Sequence, residues 1–355
     1  MKNRVLYWCL AIFTIAGINS QGQLLASQYF NIQKVAEGVY AAIGKPGVYS
    51  NGAFIVTDDG VIVVDTHLRP SWARDLIEEI KRTTSQPVRY VINTHWHNDH
   101  IQGSQAYVES FPKDLEFISQ HNTREDIIRL AIPSVREALE KDVPEGIQRL
   151  QEMLSSGKMP DGSPMTEAQR AQTQTQLDTQ KSYLAELKAM SLIVPNMTFD
   201  RSLILHKTDK EVRILYLGYG HTRGDIVVYL PKEKVLISGD LLTGGPPFMR
   251  DAFPSKWGPT LEQVGRLDFT KVVPGHGPVE EGKEHLQVEV RYINDLVSAV
   301  NEQVKRGASL EETKKAVAEA LVPKYEKEYG TSFKNAIVGN IERAYLEAKD
   351  QIQEQ

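Results

Sequence analysis

The chain has 355 residues, of which 41% are hydrophobic, and this is enough to bury a sizeable core in one large domain or two. Its formal net charge of −5 argues against a nucleic-acid partner, because proteins that bind nucleic acids usually present a strongly basic surface. Cys9 is the only cysteine in the sequence, so a disulfide framework is excluded.

The first segment of the chain, residues 1–22, has the order of a secretory signal peptide. Two basic residues precede the apolar run 5–18, and small polar residues follow it. We expect cleavage between Ser20 and Ser27, and a periplasmic or secreted product without stable membrane insertion. The alternative is an uncleaved anchor, which is disfavoured because the run is shorter than the ~20 residues of a membrane span. Since Cys9 lies within the signal, the mature chain would have no cysteine to bind a metal.

Residues 23–122 are predicted to form the first half of a folded domain. Residues 29–43 alternate enough to form a first strand, and a hairpin follows around the turn at Asp58-Asp59-Gly60. Apolar residues recur at helical spacing from Pro70 to Thr83, which predicts a helix with Ser71 as its cap.

The composition changes in residues 123–191, which are rich in Gln, Glu, Arg and Leu with helical periodicity. We interpret this segment as a helical insertion that packs on the core. Pro133 is expected to kink or end its first helix. Thr166 and Gln169 form a capping-box pattern that predicts the start of a longer helix.

Strand patterns return in residues 192–282, which are predicted to form the second half of the domain. Residues 283–355 have helical periodicity throughout, including a second capping-box pattern at Ser309 and Glu312. Strands and helices therefore interleave in two strand-rich halves around the insertion.

The most informative stretch runs from Thr94 to His100, directly after the apolar strand pattern of residues 88–93. It offers four metal-binding side chains: His95, His97, Asp99 and His100. A single ion would not take so many ligands from so short a segment, so the spacing favours two metals. The alternative is a polar loop whose histidines only form hydrogen bonds.

Three later strand patterns also end in residues that can bind a metal: His221, Asp240 and His276. Glycine flanks each of them, which lets the backbone turn tightly. One such residue would be weak evidence, but the succession of ligands after successive strands is a strong indication of a metal site.

This succession resembles the metallo-β-lactamase-fold hydrolase superfamily, over residues 29–282. The resemblance implies an α/β (α+β) fold, an αββα sandwich with the metal site along one edge of its sheets, to which this chain adds a helical insertion and a helical C-terminal region. It implies two metals, each with three ligands, and one bridging carboxylate: His95, His97 and His221; Asp99, His100 and His276; and Asp240.

The resemblance also implies a reaction. Two zinc ions per chain would share a hydroxide that attacks an amide, ester or thioester carbonyl, with β-lactams and lactones as candidate substrates. Asp99 would orient the nucleophile and pass its proton to the leaving group. Zinc is expected, although iron or manganese also suits a bridging carboxylate. Asp240 stands where one β-lactamase subgroup has cysteine, so the resemblance does not by itself establish lactam hydrolysis.

Three further polar residues follow strands that point toward the same edge. Asp65, His121 and His67 are candidates for hydrogen bonds to metal ligands, and the alternative is favoured for the two histidines. The alternatives are a turn residue for Asp65 and ordinary surface or hydrogen-bonded histidines for the other two.

The loop of residues 243–258, which follows Asp240, is the candidate substrate wall. Three of its aromatic residues are the candidate lining: Phe248, Phe253 and Trp257. An apolar wall beside Arg250 would suit a small molecule with an apolar body and a carboxylate. The alternative is that these aromatic residues pack into the core.

Other functions stay open at this point. They are a glyoxalase-II-like thioesterase, a di-iron oxidoreductase, and a non-catalytic metal-binding interaction protein. The redox function is disfavoured because the sequence contains no flavodoxin-like segment. The two helical regions, 123–191 and 283–355, are candidates for joining two copies into a homodimer, because Leu, Ile and Val recur there at helical spacing.

Overall fold

The computed structural model describes residues 26–351, and its core consists of two β-sheets packed face to face. The predicted signal peptide lies outside the described residues. The first sheet has seven strands in sequential order: β1 (Phe30–Ala36), β2 (Val39–Gly44), β3 (Gly52–Thr57), β4 (Gly60–Val64), β5 (Val88–Ile92), β6 (Glu116–Gln120) and β7 (Met197–Phe199). Strands β1 to β4 pair antiparallel, and β4 to β7 pair parallel.

The second sheet has six strands, again in sequential order from one edge to the other. They are β8 (Ser202–His206), β9 (Glu211–Tyr216), β10 (Ile226–Leu230), β11 (Val235–Gly239), β12 (Lys271–Pro274) and β13 (Glu280–Glu281). All pairs are antiparallel except β11 with β12, which is parallel. A parallel pair needs a crossover connection, and a helix supplies it here.

Eleven α-helices lie in the described residues. They are α1 (Pro70–Thr83), α2 (Asn98–Ile101), α3 (Ser104–Ser110), α4 (His121–Asp126), α5 (Ile132–Glu137), α6 (Val143–Ser156), α7 (Glu167–Ala189), α8 (Pro254–Val264), α9 (Glu284–Lys305), α10 (Leu310–Tyr329) and α11 (Phe333–Ala348). No helix within residues 26–351 combines the length and the apolar character that crossing a bilayer requires.

The facing sides of the two sheets form the central core. Ile55, Ile62 and Ile92 of the first sheet and Ile214 and Val228 of the second are fully buried in one apolar cluster. Alternate residues of a strand point to opposite faces, so the other side of each sheet needs a second cover. Helices supply that cover on both sides, and the predicted αββα sandwich is confirmed.

Each outer helical layer has its own apolar cluster. Helix α1 buries Trp72, Leu76 and Ile80 against the first sheet. Helices α8 to α11 cover the second sheet with a larger cluster that includes Trp257 and Phe333. The C-terminal helices therefore belong to the core of the domain.

Two predicted elements differ from those observed. Residues 29–43 form a hairpin, β1 and β2, because the chain reverses at Glu37 and Gly38, and Gly38 has φ +69°. The short strand β7 was not predicted. It pairs with β6, so the first sheet takes its last strand from the segment that follows the insertion.

Helix α1 begins at Pro70, and the prediction that Ser71 caps it is wrong. Ser71 lies in the first turn, where its N–H donates to the Glu186 carboxylate at 2.9 Å and its hydroxyl donates at 3.1 Å. Glu186 belongs to α7. A carboxylate of the insertion therefore accepts a hydrogen bond from a backbone N–H in the first turn of α1, which has no partner within the helix.

The insertion is helical as predicted, but Pro133 does not end its first helix. Helices α4, α5 and α6 follow one another through two π-helical turns, Ile127–Ala131 and Ala138–Asp142. A wider turn just before a proline accommodates its ring and its missing N–H, so the helix continues. The Thr166 and Gln169 capping box at the start of α7 is confirmed.

Candidate metal centre

Four buried side chains converge where strands of both sheets end. His95 and His97 follow β5, His221 lies between β9 and β10, and Asp240 follows β11. Each offers one ligand atom, and these atoms all lie within 4.8 Å of one another. We call these residues the first ligand group.

Asp99, His100 and His276 form the second ligand group, with ligand atoms that also lie within 4.8 Å of one another. Asp99 and His100 lie in the short helix α2, and His276 follows β12. The Asp99 Oδ2 atom lies 3.5 Å from the Nε2 atoms of both histidines. Asp99 is partly exposed at the bottom of two clefts.

Asp240 lies between the two groups. Its Oδ2 atom is 3.5 Å from His221 Nε2 of the first group and 3.1 Å from His276 Nε2 of the second. Its Oδ1 atom is 3.2 Å from His100 Nε2, without the geometry of a hydrogen bond. The structure thus brings together all seven residues that the sequence analysis assigned to metals.

The ring orientations follow from hydrogen bonds on the side away from the centre. Asp65 accepts from His100 Nδ1 at 2.8 Å and from the backbone and hydroxyl of Thr94 at 2.8 and 2.7 Å. The Thr94 hydroxyl then accepts from His95 Nδ1 at 3.0 Å. Asp65 has φ +62°, a conformation in which it can reach all three donors. Asp65 is therefore placed as predicted, in hydrogen bonds to a ligand and to its neighbour.

Asp251 accepts a hydrogen bond from the His97 ring, as Asp65 does from the His100 ring. This residue was not predicted from the sequence. His97 Nε2 donates to Asp251 Oδ2 at 2.9 Å. Although burial raises the pKa of Asp251, the hydrogen bond from His97 lowers it to about 2. Asp251 lies in the loop of residues 243–258, but only the folded loop shows that it reaches His97.

These hydrogen bonds decide which ring nitrogens keep a free lone pair. His97 donates through Nε2, and His221 donates through Nδ1 to the Phe248 carbonyl at 2.8 Å. Their remaining nitrogens, His97 Nδ1 and His221 Nε2, are only 2.8 Å apart. Two lone pairs at that distance repel each other unless a cation lies between or beside them.

Three buried atoms that point into the centre lack hydrogen-bond partners: His95 Nε2, His100 Nε2 and Asp240 Oδ1. Leaving such groups unpaired in a protein interior costs free energy. Imidazole nitrogens and carboxylate oxygens are the donors that zinc and related metals take. The residues present therefore fit a metal site.

The protonation states of the first ligand group also suit metal binding. Burial lowers the pKa of His95 and lowers that of His221 to about 4, so both rings are neutral at pH 7. Neutral imidazole is the form that binds metals. Burial opposes ionisation of Asp240, but the neighbouring His276 and His100 hold its pKa well below the usual range.

Gly275 makes the close approach of β11 and β12 possible. A Cβ atom at this position would lie 1.9 Å from Asp240 Oδ1. Any other residue would displace the carboxylate that lies between the two ligand groups.

A cleft of about 370 Å³ opens beside the centre, and we call it the Arg250 cleft. Asp99, Asp240 and His276 lie at its base, and Phe248 and Arg250 lie on its wall. Phe248 is 51% exposed, so this candidate lining residue is available to a substrate.

The other two aromatic candidates do not line the Arg250 cleft. Trp257 is fully buried behind His221, with ring centroids 5.7 Å apart, because its indole N–H is held by the Leu241 carbonyl. Phe253 is 9% exposed and packs on Tyr219 at 4.9 Å between ring centroids. These two aromatic side chains therefore pack into the core, which was the alternative to a role in the substrate wall.

His121 is not placed at the centre either. It is the first residue of α4, which turns its side chain toward solvent, where it is 54% exposed and pairs with Glu125 at 3.1 Å. His67 is fully buried and packs on Phe30, with ring centroids 4.3 Å apart.

The helical additions hold two loops of the centre. Arg223, two residues after His221, pairs with Asp126 of α4 at 2.7 Å. Asn340 and Arg343 of α11 donate to the carbonyls of Pro247 and Ala252 at 2.9 and 2.7 Å, which fixes the loop that carries Asp251.

The profile of the metallo-beta-lactamase superfamily matches residues 46–116 and 173–276. The two matched stretches contain all seven ligand residues, and the gap between them covers most of the insertion.

Among curated proteins, a linear primary-alkylsulfatase of Pseudomonas sp. is 25% identical over 71% of this chain and 46% of its own length. The chain therefore spans about half of that relative. Type 2 metallo-beta-lactamases from Elizabethkingia meningoseptica and Bacillus cereus are 22% and 24% identical, over 84% and 65% of this chain and 96% and 68% of their own lengths.

Solved structures agree on the fold. A metallo-beta-lactamase from Pontibacter korlensis aligns with a TM-score of 0.52 and 19% identity, over 75% of this chain and 99% of that one. A mono-zinc metallo-beta-lactamase from Pseudomonas aeruginosa aligns with a TM-score of 0.51 and 18% identity, over 76% and 97%. The profile match, together with the candidate ligand residues, shows that the chain belongs to the metallo-β-lactamase superfamily.

Proposed function

We propose that this protein is an exported hydrolase that holds two zinc ions and cleaves an ester, thioester or amide bond in a small molecule. The observation that carries the proposal is the position of Asp240, whose Oδ2 atom lies within 3.5 Å of a histidine from each ligand group. A carboxylate in contact with two sets of imidazoles is suited to bridge two cations. Iron or manganese would also suit these ligands.

Bound metals would supply a water molecule that ionises near neutral pH and a Lewis acid for the substrate's carbonyl oxygen. The protein's own contribution to proton transfer comes from Asp99. Its carboxylate borders the Arg250 cleft, so it can orient the attacking water and carry a proton to the leaving group. Asp65 and Asp251 keep the ligand rings in the tautomers that expose their lone pairs to the centre.

The Arg250 cleft favours a substrate with a polar or anionic group. Arg250 is 68% exposed and stacks on Phe248 at 5.5 Å. Its Nε–H donates to Asp251 Oδ2 at 3.2 Å, but most of the side chain stays exposed beside the cleft. β-Lactams and lactones with a carboxylate are candidates on this ground, and a thioester is another.

Sulfate esters are a second candidate substrate class. The similarity to a linear primary-alkylsulfatase suggests them, and the accessible Arg250 guanidinium is a group that binds a sulfate oxygen well. A substrate panel therefore needs an alkyl sulfate beside the carbonyl compounds.

The test combines metal analysis with that panel. We expect about two zinc ions per chain and turnover of at least one of a chromogenic cephalosporin, a lactone, a thioester and an alkyl sulfate.

Asp99→Asn should lower kcat by roughly 10²- to 10⁴-fold, because it removes the proton carrier. Asp240→Asn should reduce the zinc content. His206→Ala is the matched control, since His206 is 72% exposed on the edge strand β8 and belongs to neither ligand group.

Wild-type protein that binds no metal, or an Asp240→Asn variant with unchanged metal content and activity, would overturn the proposal. Iron with visible absorption in place of zinc would support the redox alternative. Export is tested separately, by N-terminal sequencing of the protein recovered outside the cytoplasm. The expected first residue lies between Ser20 and Ser27.

A further inference from the structure

A second cleft, of about 430 Å³, is also lined by Asp99 and His276, and we call it the Tyr183 cleft. Its walls come from the loop before β3, from the start of α1 and from helix α7 of the insertion. Its volume lies within the range of small-molecule sites. Because both clefts share Asp99 and His276, a bound molecule can reach from one cleft to the other across the metal centre.

One part of the Tyr183 cleft is aromatic and apolar, and its polar lining residues include Asn98, Thr179 and Gln180. Trp72 lies at its side, Tyr49 packs near Trp72 with ring centroids 6.2 Å apart, and Leu68 completes that wall. Tyr183 of α7 closes the opposite side, and its hydroxyl donates to Gln102 at 2.9 Å. That hydrogen bond fixes the ring, so the wall is preformed.

The cation in the Tyr183 cleft is already neutralised. Arg69 is 10% exposed and forms an ion pair with Glu186, which is 17% exposed. Its NH2 group also donates to Ser182 at 2.7 Å, and its guanidinium lies 5.7 Å from the Tyr183 ring centroid. An anionic group in this cleft would therefore compete with Glu186, and would lie beside Asp99.

The two clefts differ in what they can bind. Both arginines form ion pairs, but Arg250 is 68% exposed whereas Arg69 is 10% exposed. The Arg250 cleft therefore offers a solvent-accessible guanidinium, and the Tyr183 cleft offers aromatic faces and a buried, paired cation. Apolar groups gain free energy by leaving water for such a surface, and charged groups do not.

We infer that the Tyr183 cleft binds the apolar alkyl or aryl group of the substrate, while the polar end of the substrate lies in the Arg250 cleft. This inference rests on the proposed function for the position of the bond that is cleaved. It gives the insertion a role in specificity, because α7 supplies one wall of the cleft.

The experiment fills the cleft without touching the metal ligands. Thr179 lies on the exposed surface of α7 and lines the Tyr183 cleft, so Thr179→Trp should occupy it. Gln174→Trp is the matched control, since Gln174 is exposed on the same helix, roughly 140° away around its axis. Tyr49→Ala is a second variant, which removes part of the wall at a side chain that is 64% exposed.

The substrates are the acetyl and octanoyl esters of glycerol, which differ only in the apolar group, with acid release followed by titration. We expect Thr179→Trp to raise KM for the octanoyl ester by about tenfold or more, with the acetyl ester changed by less than about twofold. Tyr49→Ala should raise KM for the octanoyl ester alone. Gln174→Trp should change neither substrate.

Equal effects of Thr179→Trp on both esters, or no effect on either, would overturn the inference and leave the proposed function intact. If the wild-type protein cleaves neither ester, the cleft is tested by calorimetry with octanoate and acetate. Tighter binding of octanoate that Thr179→Trp abolishes would support the inference. Equal binding of the two acids, or octanoate binding that the variant does not change, would refute it.

Discussion

The two helical additions have similar sequence patterns, but they join the domain in different ways. The C-terminal helices bury a continuous apolar cluster on the second sheet, including Tyr292, Phe333 and Ile341. The insertion buries far fewer apolar side chains, among them Ile127 and Leu177. It is attached by the ion pairs described above and by a small apolar cluster that joins Ile127 and Ala131 to Trp96 and Ile101.

This difference assigns stability to the C-terminal helices and substrate specificity to the insertion. The C-terminal helices complete the core and fix the loop that carries Asp251, so their loss should unfold the second half of the domain. The insertion fixes the loop after His221 through Arg223 and forms one wall of the Tyr183 cleft. A segment with few buried contacts can change without loss of the core, which suits a part that sets specificity.

The largest expected effect is on the C-terminal core. Phe333→Ala should lower the free energy of unfolding by about 4 kcal/mol, since it leaves a cavity among fully buried aromatic rings. Leu177→Ala in the insertion should cost about 2 kcal/mol, because fewer neighbours surround it. Urea unfolding followed by circular dichroism measures both. Val338→Ala is the control, at a side chain of α11 that is 41% exposed. Equal losses at Phe333 and Leu177 would contradict the comparison.

A pH-dependent effect is expected at Glu289, a fully buried residue of α9 with no hydrogen-bond partner for its carboxyl oxygens. Burial, and then the charge of Glu280, raise the pKa of Glu289 well above the usual 4.5. His285 Nε2 lies 3.6 Å from this carboxyl, so it is the nearest histidine that could offset the shift.

The unfolded chain releases the Glu289 proton near pH 4.5, whereas the folded chain keeps it to higher pH. The free energy of unfolding therefore falls as the pH rises above 4.5, by up to about 1.4 kcal/mol per pH unit. Glu289→Gln should remove this loss and be more stable than the wild type at pH 8. Urea unfolding at pH 5 and pH 8 measures this difference in stability. Glu302→Gln is the control, at an exposed residue of the same helix. Parallel pH profiles of wild type and Glu289→Gln would refute the prediction.

The smallest expected effect is on metal affinity, and it concerns the loop of residues 243–258, which α11 fixes. Asp251→Asn should weaken metal binding by roughly 10- to 100-fold, because His97 loses the carboxylate that fixes its tautomer. A competition titration with a zinc chelator measures this affinity. Asp209→Asn, at an exposed turn, is the control and should leave the affinity unchanged. An unchanged affinity in Asp251→Asn would show that Asp251 does not support His97.

Much of the centre could be predicted from the sequence. The ligands from His95 to His100 lie in one short segment, and the other three each follow a strand beside glycine, so local patterns reveal them. Asp65 could be proposed because it ends a strand that points to the same edge. Asp251 could not be predicted, since its role depends on a loop that α11 folds back toward His97.

The sequence by itself determined most of the strands, the candidate metal ligands and the two helical additions, because periodicity and ligand spacing are local properties of the chain. The tertiary structure decided that Trp257 supports His221 from behind while Phe248 faces the cleft, and that His121 points to solvent. It also decided that Arg69 is neutralised by Glu186, 117 residues further along. These outcomes depend on packing and charge pairing between distant segments, which no local pattern specifies.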